Sequence, residues 1–263
     1  MGANTTNANK ELGFDKMSEL DYRKHWSFST FNRMLIAAYH ISKLPVNARV
    51  LEIGAGTSEL ENLVCTNFQR GDIIFLKIDA DEQYRHDGNI DFVGDVTEPY
   101  IHSVIENYVN LNMKRFHKSG FDAIVMMEVI EHIGKDKVKP LLNKIHNEWI
   151  ADEGTLIITT PTPPYNSKYE DKVWPTDHEY EFSLKEVRAL VNDKFKIVNE
   201  VSWSMEERDY YTEICKTPFL MELKSRLERA GFPESYIRAQ VALFAAPISG
   251  RQILMIGKAR RKE

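Results

Sequence analysis

Apolar runs alternate with segments of helical spacing along most of the chain. Seven short apolar runs predict strands at residues 49–53, 73–78, 90–93, 121–127, 155–159, 195–201 and 252–258. Apolar residues at helical spacing predict the main helices at residues 28–42, 58–68, 98–117, 137–150 and 184–191. The strands are apolar throughout rather than alternating, which is typical of a sheet covered on both faces. Strands that alternate with helices predict an α/β fold built on a mostly parallel sheet.

The same pattern divides the chain of 263 residues into three parts. Residues 1–45 form a predicted helical extension, whose helix places four large apolar residues on one side: Phe28, Phe31, Leu35 and Tyr39. Residues 46–203 and 251–263 form the predicted α/β domain. Residues 204–250 form a predicted helical insertion before the last strand. We therefore expect one large α/β domain with a helical cover.

Glycine and acidic residues close several of the predicted strands. In an open parallel sheet, ligands bind beyond the carboxyl ends of the strands. We therefore expect the residues at these ends to share one rim of the sheet: Gly54, Asp79, Asp95, Glu128 and Pro161.

The first strand ends in an acid-x-Gly-x-Gly segment. Its members are Glu52, Gly54, Ala55 and Gly56. Glycines permit positive φ and leave no Cβ between the backbone and a ligand. The segment resembles motif I of class I S-adenosylmethionine-dependent methyltransferases, although Ser58 stands where that family usually has a third glycine. The resemblance implies that the turn supports the methionine and ribose parts of S-adenosylmethionine, and that Glu52 helps to organise its ammonium end.

A nicotinamide-dependent enzyme is the main alternative for such a turn. Its G-x-G-x-x-G pattern would require glycine at position 59, which is Glu59 here. A carboxylate there opposes the pyrophosphate that the helix N-terminus would hold. Since S-adenosylmethionine carries no phosphate, Glu59 favours the methyltransferase.

The next two strands extend the resemblance. Asp79 closes the second strand, where the family's acid accepts hydrogen bonds from the ribose hydroxyls. Asp95 follows the third strand, where the family's acid binds the adenine amino group, with Val96 beside the ring. The resemblance covers about residues 49–201 and the last strand. It implies a Rossmann-like fold with a seven-stranded, mostly parallel sheet whose last strand is antiparallel.

A second group of polar residues follows the fourth strand. Glu128, Glu131 and His132 stand at i, i+3 and i+4, which places them on one face of a helical turn. With the later segments TTPTPPYN (159–166) and DHEYEFS (177–183), this turn resembles two groups of methyltransferases. One is the small-RNA 3′-terminal 2′-O-methyltransferases; the other is the ubiquinone-pathway and sugar O-methyltransferases.

The resemblance to the RNA group implies a divalent metal site with four ligands: Glu128, Glu131, His132 and His178. Two carboxylates and two imidazoles suit Mg²⁺, Mn²⁺ or Zn²⁺. His132 or His178 could instead be the general base. The alternative is that the acids only complement a helix dipole and that His178 belongs to a polar loop network.

Composition limits the class of acceptor and partner. The formal net charge of -5 disfavours a dedicated nucleic-acid binder. No stretch approaches the roughly 18 apolar residues of a membrane span, and no secretion signal is evident, so we expect a cytoplasmic protein with no membrane partner. The leading hypothesis is O-methylation of a small-molecule hydroxyl on a sugar, nucleoside or phenol beneath the helical cover. The alternatives are 2′-O-methylation of an RNA 3′ terminus and a cofactor-binding regulator without catalysis.

Overall fold

A computed structural model describes residues 28–85, 89–113, 120–162, 178–203, 218–232, 237 and 252–261. The strands are β1 (Arg49–Ile53), β2 (Ile74–Asp79), β3 (Phe92–Val93), β4 (Phe121–Met127), β5 (Ile150–Pro161), β6 (Phe195–Trp203) and β7 (Gln252–Ala259). The α-helices are α1 (Phe28–Ser42), α2 (Glu59–Thr66), α3 (Pro99–Tyr108), α4 (Lys135–Lys144), α5 (Leu184–Asn192) and α6 (Pro218–Arg229).

The strands form one sheet in the order β3-β2-β1-β4-β5-β7-β6. The pairs β2–β3, β1–β2, β1–β4 and β4–β5 are parallel. Strand β7 inserts between β5 and β6 and runs antiparallel to both. The predicted Rossmann-like α/β fold, with an antiparallel last strand, is confirmed.

Both faces of the sheet are buried, as the continuous apolar runs predicted. Successive strand residues point to opposite faces, so Leu51 and Ile53 join one apolar cluster while Val50 joins the other. Helices α3, α4 and α5 cover the first face, and α1 and α2 cover the second. This layering leaves the carboxyl ends of the parallel strands as the place where a ligand can reach the backbone.

Helix α1 packs through smaller residues than the sequence pattern predicted. Its fully buried residues are Ala37, Ala38 and Ile41, whereas Tyr39, one of the large apolar residues predicted to share one side of the helix, is 50% exposed. Alanines allow a helix to approach the sheet closely, so the buried face follows them rather than the largest side chains. Tyr39 therefore lies outside the buried face of the helix.

Several element boundaries also differ from the prediction. Helix α3 ends earlier and continues as a π-helical turn, Val109–Met113, and a second π-helical turn, Ile145–Trp149, follows α4. Strand β5 begins at Ile150, directly after this second π-helical turn. The predicted helix over 137–150 therefore included the first residue of a strand. The first residues of β5 include the exposed Asp152 and Glu153, so the apolar run that marked this strand began only at Thr155.

Much of the predicted extension and insertion lies outside the described residues. Of the insertion at 204–250, the structure describes α6 and a few neighbouring residues, and residues 1–27 are not described. In the described part of the chain, no helix combines the length and the apolar character that crossing a membrane requires.

Candidate active site

The turn after β1 has the backbone conformation that its glycines permit. Gly54 has φ +72° and Gly56 has φ +52°. The N–H groups of Gly54 and Ala55 donate to the carbonyl oxygen of Ile78, over 2.8 and 3.2 Å. The turn is thereby fastened to the end of β2, the strand whose last residue is Asp79.

Ser58 adopts a glycine-like conformation in the same turn. It precedes α2 with φ 61° and ψ 29°, in the left-handed region. Its hydroxyl donates to the carbonyl oxygen of Asn89, which leads into β3. The turn therefore keeps a left-handed residue where the family usually has its third glycine, and Ser58 also ties it to the neighbouring loop.

A crevice of about 500 Å³ opens beyond the carboxyl ends of β1, β2, β3 and β4, within the size range of small-molecule sites. Five of the predicted cofactor residues line it: Gly54, Gly56, Asp79, Asp95 and Val96. Glu128 and His132 line it as well. Tyr84 and Ile133 also line the crevice but were not predicted as site residues. They lie a few residues beyond β2 and β4, whereas the prediction considered mainly the residues at the strand ends. The predicted shared rim is present for Gly54, Asp79, Asp95 and Glu128.

The carboxylates of Asp79 and Asp95 are held by backbone donors. Asp79 Oδ2 accepts from the N–H of Gly56 over 2.8 Å, and its Oδ1 accepts from the N–H of Asp81 over 2.9 Å. Asp95 Oδ1 accepts from the N–H of Thr97 over 2.8 Å. Since each carboxylate has about four lone-pair sites, both acids keep acceptor capacity for a ligand.

The remaining predicted cofactor residues, Glu52 and Ala55, do not line the crevice. Ala55 is buried and shapes the turn through its backbone. Glu52 is 1% exposed and lies on the strand face that packs against α1 and α2, where its Oε2 has no hydrogen-bond partner among the described residues. Burial, reinforced by the nearby Glu61, raises the pKa of Glu52 to about 8. Any influence of Glu52 on a ligand would therefore pass through the turn.

The crevice is rich in carboxylates. Asp79, Asp81, Asp95 and Glu128 all line it. Converging negative charge favours a cationic ligand and opposes a polyphosphate. Glu59, the first residue of α2, adds a carboxylate at the helix N-terminus that a pyrophosphate would need. The electrostatics therefore suit a sulfonium nucleoside.

A second cluster adjoins this crevice. Glu131, His132 and His178 each offer a ligand atom, and these atoms lie within 4.8 Å of one another. The N–H of His132 donates to the carbonyl oxygen of Val129 over 3.0 Å, closing the turn after β4. The N–H groups of Glu179 and Tyr180 donate to the carbonyl oxygen of Glu131, over 2.8 and 3.1 Å. These backbone bonds bring His178 beside His132, although the two are distant in sequence.

Glu131 is a fully buried carboxyl in this cluster. Its Oε2 accepts from the Thr160 hydroxyl over 3.0 Å, whereas its Oε1 has no hydrogen-bond partner among the described residues. Burial and then the neighbouring Glu128 carboxylate raise the pKa of Glu131 to about 8. A buried oxygen without a partner, beside two imidazoles, is a feature that a bound cation would satisfy.

The two imidazoles of the cluster lie edge to face, with ring centroids 4.9 Å apart. Nδ1 of His178 lies 3.2 Å from Oε1 of Glu181. A carboxylate on one ring nitrogen fixes the ring and directs the other nitrogen toward a metal or a proton. Glu181 belongs to the DHEYEFS segment, but no role was predicted for it. Its spacing of three residues from His178 was the sequence signal that could have indicated this contact.

Glu128, the fourth predicted metal ligand, lies outside this cluster. Its Oε1 accepts from the Thr159 hydroxyl over 2.9 Å, and its Oε2 accepts from Nε2 of Gln252 over 2.8 Å. Nη1 of Arg33 lies 3.3 Å from the same Oε2. These three partners were not predicted from the sequence. For Thr159 and Gln252, the local signal was a polar residue within the buried apolar runs of β5 and β7.

A larger groove of about 590 Å³ lies between α4 and α5, lined by residues such as Pro140, Phe182 and Leu190. It is away from the carboxyl ends of the strands, and its charged residues are largely engaged with one another, as in the Lys135–Glu186 pair at 2.9 Å. The crevice, where the strand ends and the predicted residues meet, is therefore the candidate active site.

The strand order, with the antiparallel last strand, is that of the Rossmann-like fold of class I methyltransferases. A family model described as a methyltransferase domain matches residues 22–233, and the chain belongs to this family. It is an S-adenosylmethionine-dependent methyltransferase. None of the curated protein sequences matches the chain significantly.

Solved structures share the fold at low sequence identity. A SAM-dependent methyltransferase from Archaeoglobus fulgidus is 17% identical, with a TM-score of 0.55, over 92% of this chain and 99% of that one. The small RNA methyltransferase HEN1 is 12% identical, with a TM-score of 0.53, over 88% of this chain and 25% of that one. Phosphoethanolamine N-methyltransferase 2 from Haemonchus contortus, solved with S-adenosyl-L-methionine, is 14% identical, with a TM-score of 0.52, over 89% and 54%.

Proposed function

We propose that this protein transfers the methyl group of S-adenosylmethionine to a hydroxyl oxygen of a small molecule, with a divalent metal ion at the acceptor. The observation that carries the proposal is the position of His132. It lines the crevice and also belongs to the cluster of Glu131, His132 and His178. A single residue therefore joins the methyl-donor side to the group that would activate an acceptor.

On the donor side, each crevice residue has a task that suits its chemistry. Asp79 would accept hydrogen bonds from the ribose hydroxyls, and Asp95 would accept from the adenine amino group, with Val96 beside the ring. The turn from Gly54 to Gly56 supports the methionine part. Bound S-adenosylmethionine would supply a methyl carbon bonded to a positively charged sulfur, and the carboxylates of the crevice favour the binding of that charge.

On the acceptor side, the cluster supplies one buried carboxyl oxygen and two imidazoles. This donor set suits Mn²⁺ or Zn²⁺, and also Mg²⁺ when water completes the coordination. A divalent ion held there would lower the pKa of an acceptor hydroxyl and orient it. Glu181 orients His178 for this role, and the backbone bonds to Glu131 hold the two segments in place.

An imidazole that does not bind a metal can instead act by proton transfer. The acceptor O–H would give its proton to an imidazole nitrogen of His132 or His178. The acceptor oxygen forms a bond to the methyl carbon, the carbon–sulfur bond breaks, and the sulfur keeps the electron pair. Positioning of the two reactants contributes most of the rate in such an in-line transfer.

The presence of groups that can take up a proton beside the crevice favours oxygen over nitrogen as the acceptor atom. A neutral amine attacks a methyl group without losing its proton first, whereas a hydroxyl is a weak nucleophile until it is deprotonated. Two imidazoles and a buried carboxyl beside the crevice suit the harder task. Since the relatives by fold include N-methyltransferases, this choice requires a direct test.

The test is production of S-adenosylhomocysteine with matched panels of hydroxyl and amine acceptors, with Mn²⁺ or with a chelator. We expect turnover with hydroxyl acceptors only, at least tenfold reduced by chelation and by His178→Ala. Glu179→Gln, at an exposed neighbour, is the control and should retain turnover. Turnover confined to amines would contradict oxygen as the acceptor atom, and turnover insensitive to both chelation and His178→Ala would contradict the acceptor-activating cluster.

A second candidate is 2′-O-methylation of an RNA 3′ terminus. It is favoured by the cluster itself, because the E-x-x-E-H turn and the later histidine that resemble the RNA group lie together. Single-stranded RNA would bind with a log–log salt slope of about −0.7 per phosphate contact, whereas an uncharged small acceptor would show almost none. Measurement of acceptor KM between low and moderate salt separates the two.

A further inference from the structure

Glu128 follows one strand and contacts three other elements of the fold. It follows β4, accepts from Thr159 of β5 and Gln252 of β7, and pairs with Arg33 of α1. The Arg33 and Glu128 side chains are only 16% and 20% exposed, so water screens this pair less than a surface pair. Glu128 is therefore the point at which the N-terminal helix is joined to the centre of the sheet.

The backbone of Glu128 is also unusual. Its φ of +57° lies in the left-handed region, which is uncommon for a residue with a side chain. Its N–H donates to the carbonyl oxygen of Thr159 over 3.0 Å. This conformation turns the chain away from β4 and directs the following residues, including Glu131 and His132, into the cluster. The side-chain contacts of Glu128 hold a strained turn in place.

The same contacts leave little room for metal ligation by Glu128. Two hydrogen bonds and the ion-paired guanidinium of Arg33 already engage its two oxygens, which offer about four lone-pair sites. A divalent cation bound there would also stand close to the guanidinium of Arg33, and like charges at such a distance repel. Glu131, by contrast, has an oxygen without a hydrogen-bond partner among the described residues.

We propose that Glu128 is a positioning residue, which holds the turn that carries Glu131 and His132 against α1, β5 and β7, and that it is not a metal ligand. The statement that Glu128 does not bind the metal rests on the proposed function, because that function includes the metal ion. It predicts a centre with three protein ligands, Glu131, His132 and His178, in place of the four that the sequence motif implied.

Calorimetric titration with Mn²⁺ tests the metal part on the whole chain. We expect Glu128→Gln to leave the Mn²⁺ affinity within threefold of the original protein, because Gln has the same shape and still accepts one hydrogen bond. Glu131→Gln should weaken Mn²⁺ binding at least tenfold. An equal loss for the two variants would overturn the proposal.

A second measurement tests the positioning part without metal. In thermal unfolding, the double variant Arg33→Met/Glu128→Gln should lose no more Tm than the more damaging single variant, because both singles break the same pair. Additive losses would overturn the positioning role. If the original protein binds no Mn²⁺, the metal part of the proposed function fails, while this cycle still decides the role of Glu128.

Nuclear magnetic resonance measures the imidazole signals of the folded protein, which a general loss of stability would not shift. In the folded protein, Glu128→Gln and Arg33→Met should both shift the imidazole signals of His132. The signals of His146, which bonds to the carbonyl oxygen of Arg260 over 3.1 Å, serve as the internal reference and should stay in place. Unmoved His132 signals in both variants would contradict the proposal.

Discussion

A Cβ atom placed on Gly54 would lie 2.5 Å from Cγ2 of Val129. The side chain of Val129, in the turn after β4, therefore packs directly against Gly54 in the turn after β1, at the edge of the crevice. Gly56, two residues on, shares a positive φ but has no heavy atom within 4 Å of a Cβ position. A side chain at either glycine would strain the backbone, but only a side chain at Gly54 would also clash with a neighbour.

This difference predicts that Gly54→Ala destabilises the protein more than Gly56→Ala. Each change costs about 1–2 kcal/mol for a left-handed alanine, and Gly54→Ala adds about 1–3 kcal/mol of overpacking. Urea unfolding measures both free energies. Val129→Ala in the Gly54→Ala background should recover part of the added loss, and equal losses at the two glycines would show that the turns do not touch.

Ser58 gives a second prediction about the same turn. Ser58→Gly and Ser58→Ala both remove the hydroxyl that donates to Asn89, but only alanine keeps a Cβ in the left-handed conformation. We expect Ser58→Gly to be more stable than Ser58→Ala by about 1 kcal/mol. The comparison is made by urea unfolding, and a glycine variant no more stable than the alanine variant would argue against the left-handed turn.

The buried Glu52 predicts a pH dependence of stability. Its pKa rises from the ordinary 4.5 to about 8 on folding, because burial disfavours the charged form. The folded state therefore binds more protons than the unfolded state between these values, and stability falls as pH rises from about 4.5 to about 8. Above about pH 8, Glu52 is ionised in both the folded and the unfolded state, and the destabilisation that it causes no longer changes with pH.

The variant Glu52→Gln removes this titration and keeps the shape of the side chain. Its Tm relative to the original protein should increase steadily between pH 5 and pH 8. Glu82→Gln, at an exposed position in a short 3₁₀ turn, is the control and should show a flat difference. A flat difference for Glu52→Gln as well would mean that this carboxyl is not buried.

The sheet and the crevice were predictable because local patterns encode them. Buried parallel strands are continuous apolar runs, and each change to glycine or aspartate marks a strand end. Gly54, Asp79 and Asp95 could thus be placed on one rim before any coordinates. The exposed Tyr39 shows the limit of this reasoning, because a helix can be buried through alanines while its largest apolar residue faces solvent.

The partners of the active-site acids were not predictable in the same way. Glu128 meets Gln252 across 124 positions of sequence, and Thr160 meets Glu131 through strand pairing. Such contacts depend on strand order and register, which no single segment encodes. The motif identified the acids themselves, but only the folded chain separates Glu131, which faces the histidines, from Glu128, which faces Arg33.

The claim on which the rest depends is that the crevice binds S-adenosylmethionine through Asp79. Calorimetric titration with S-adenosylmethionine tests it in the original protein, in Asp79→Asn, and in Asp91→Asn, an exposed acid outside the crevice. We expect binding that Asp79→Asn weakens at least tenfold, about 1.4 kcal/mol, and that Asp91→Asn leaves unchanged. Equal affinity in all three proteins would contradict the site, and no binding to the original protein would contradict the cofactor.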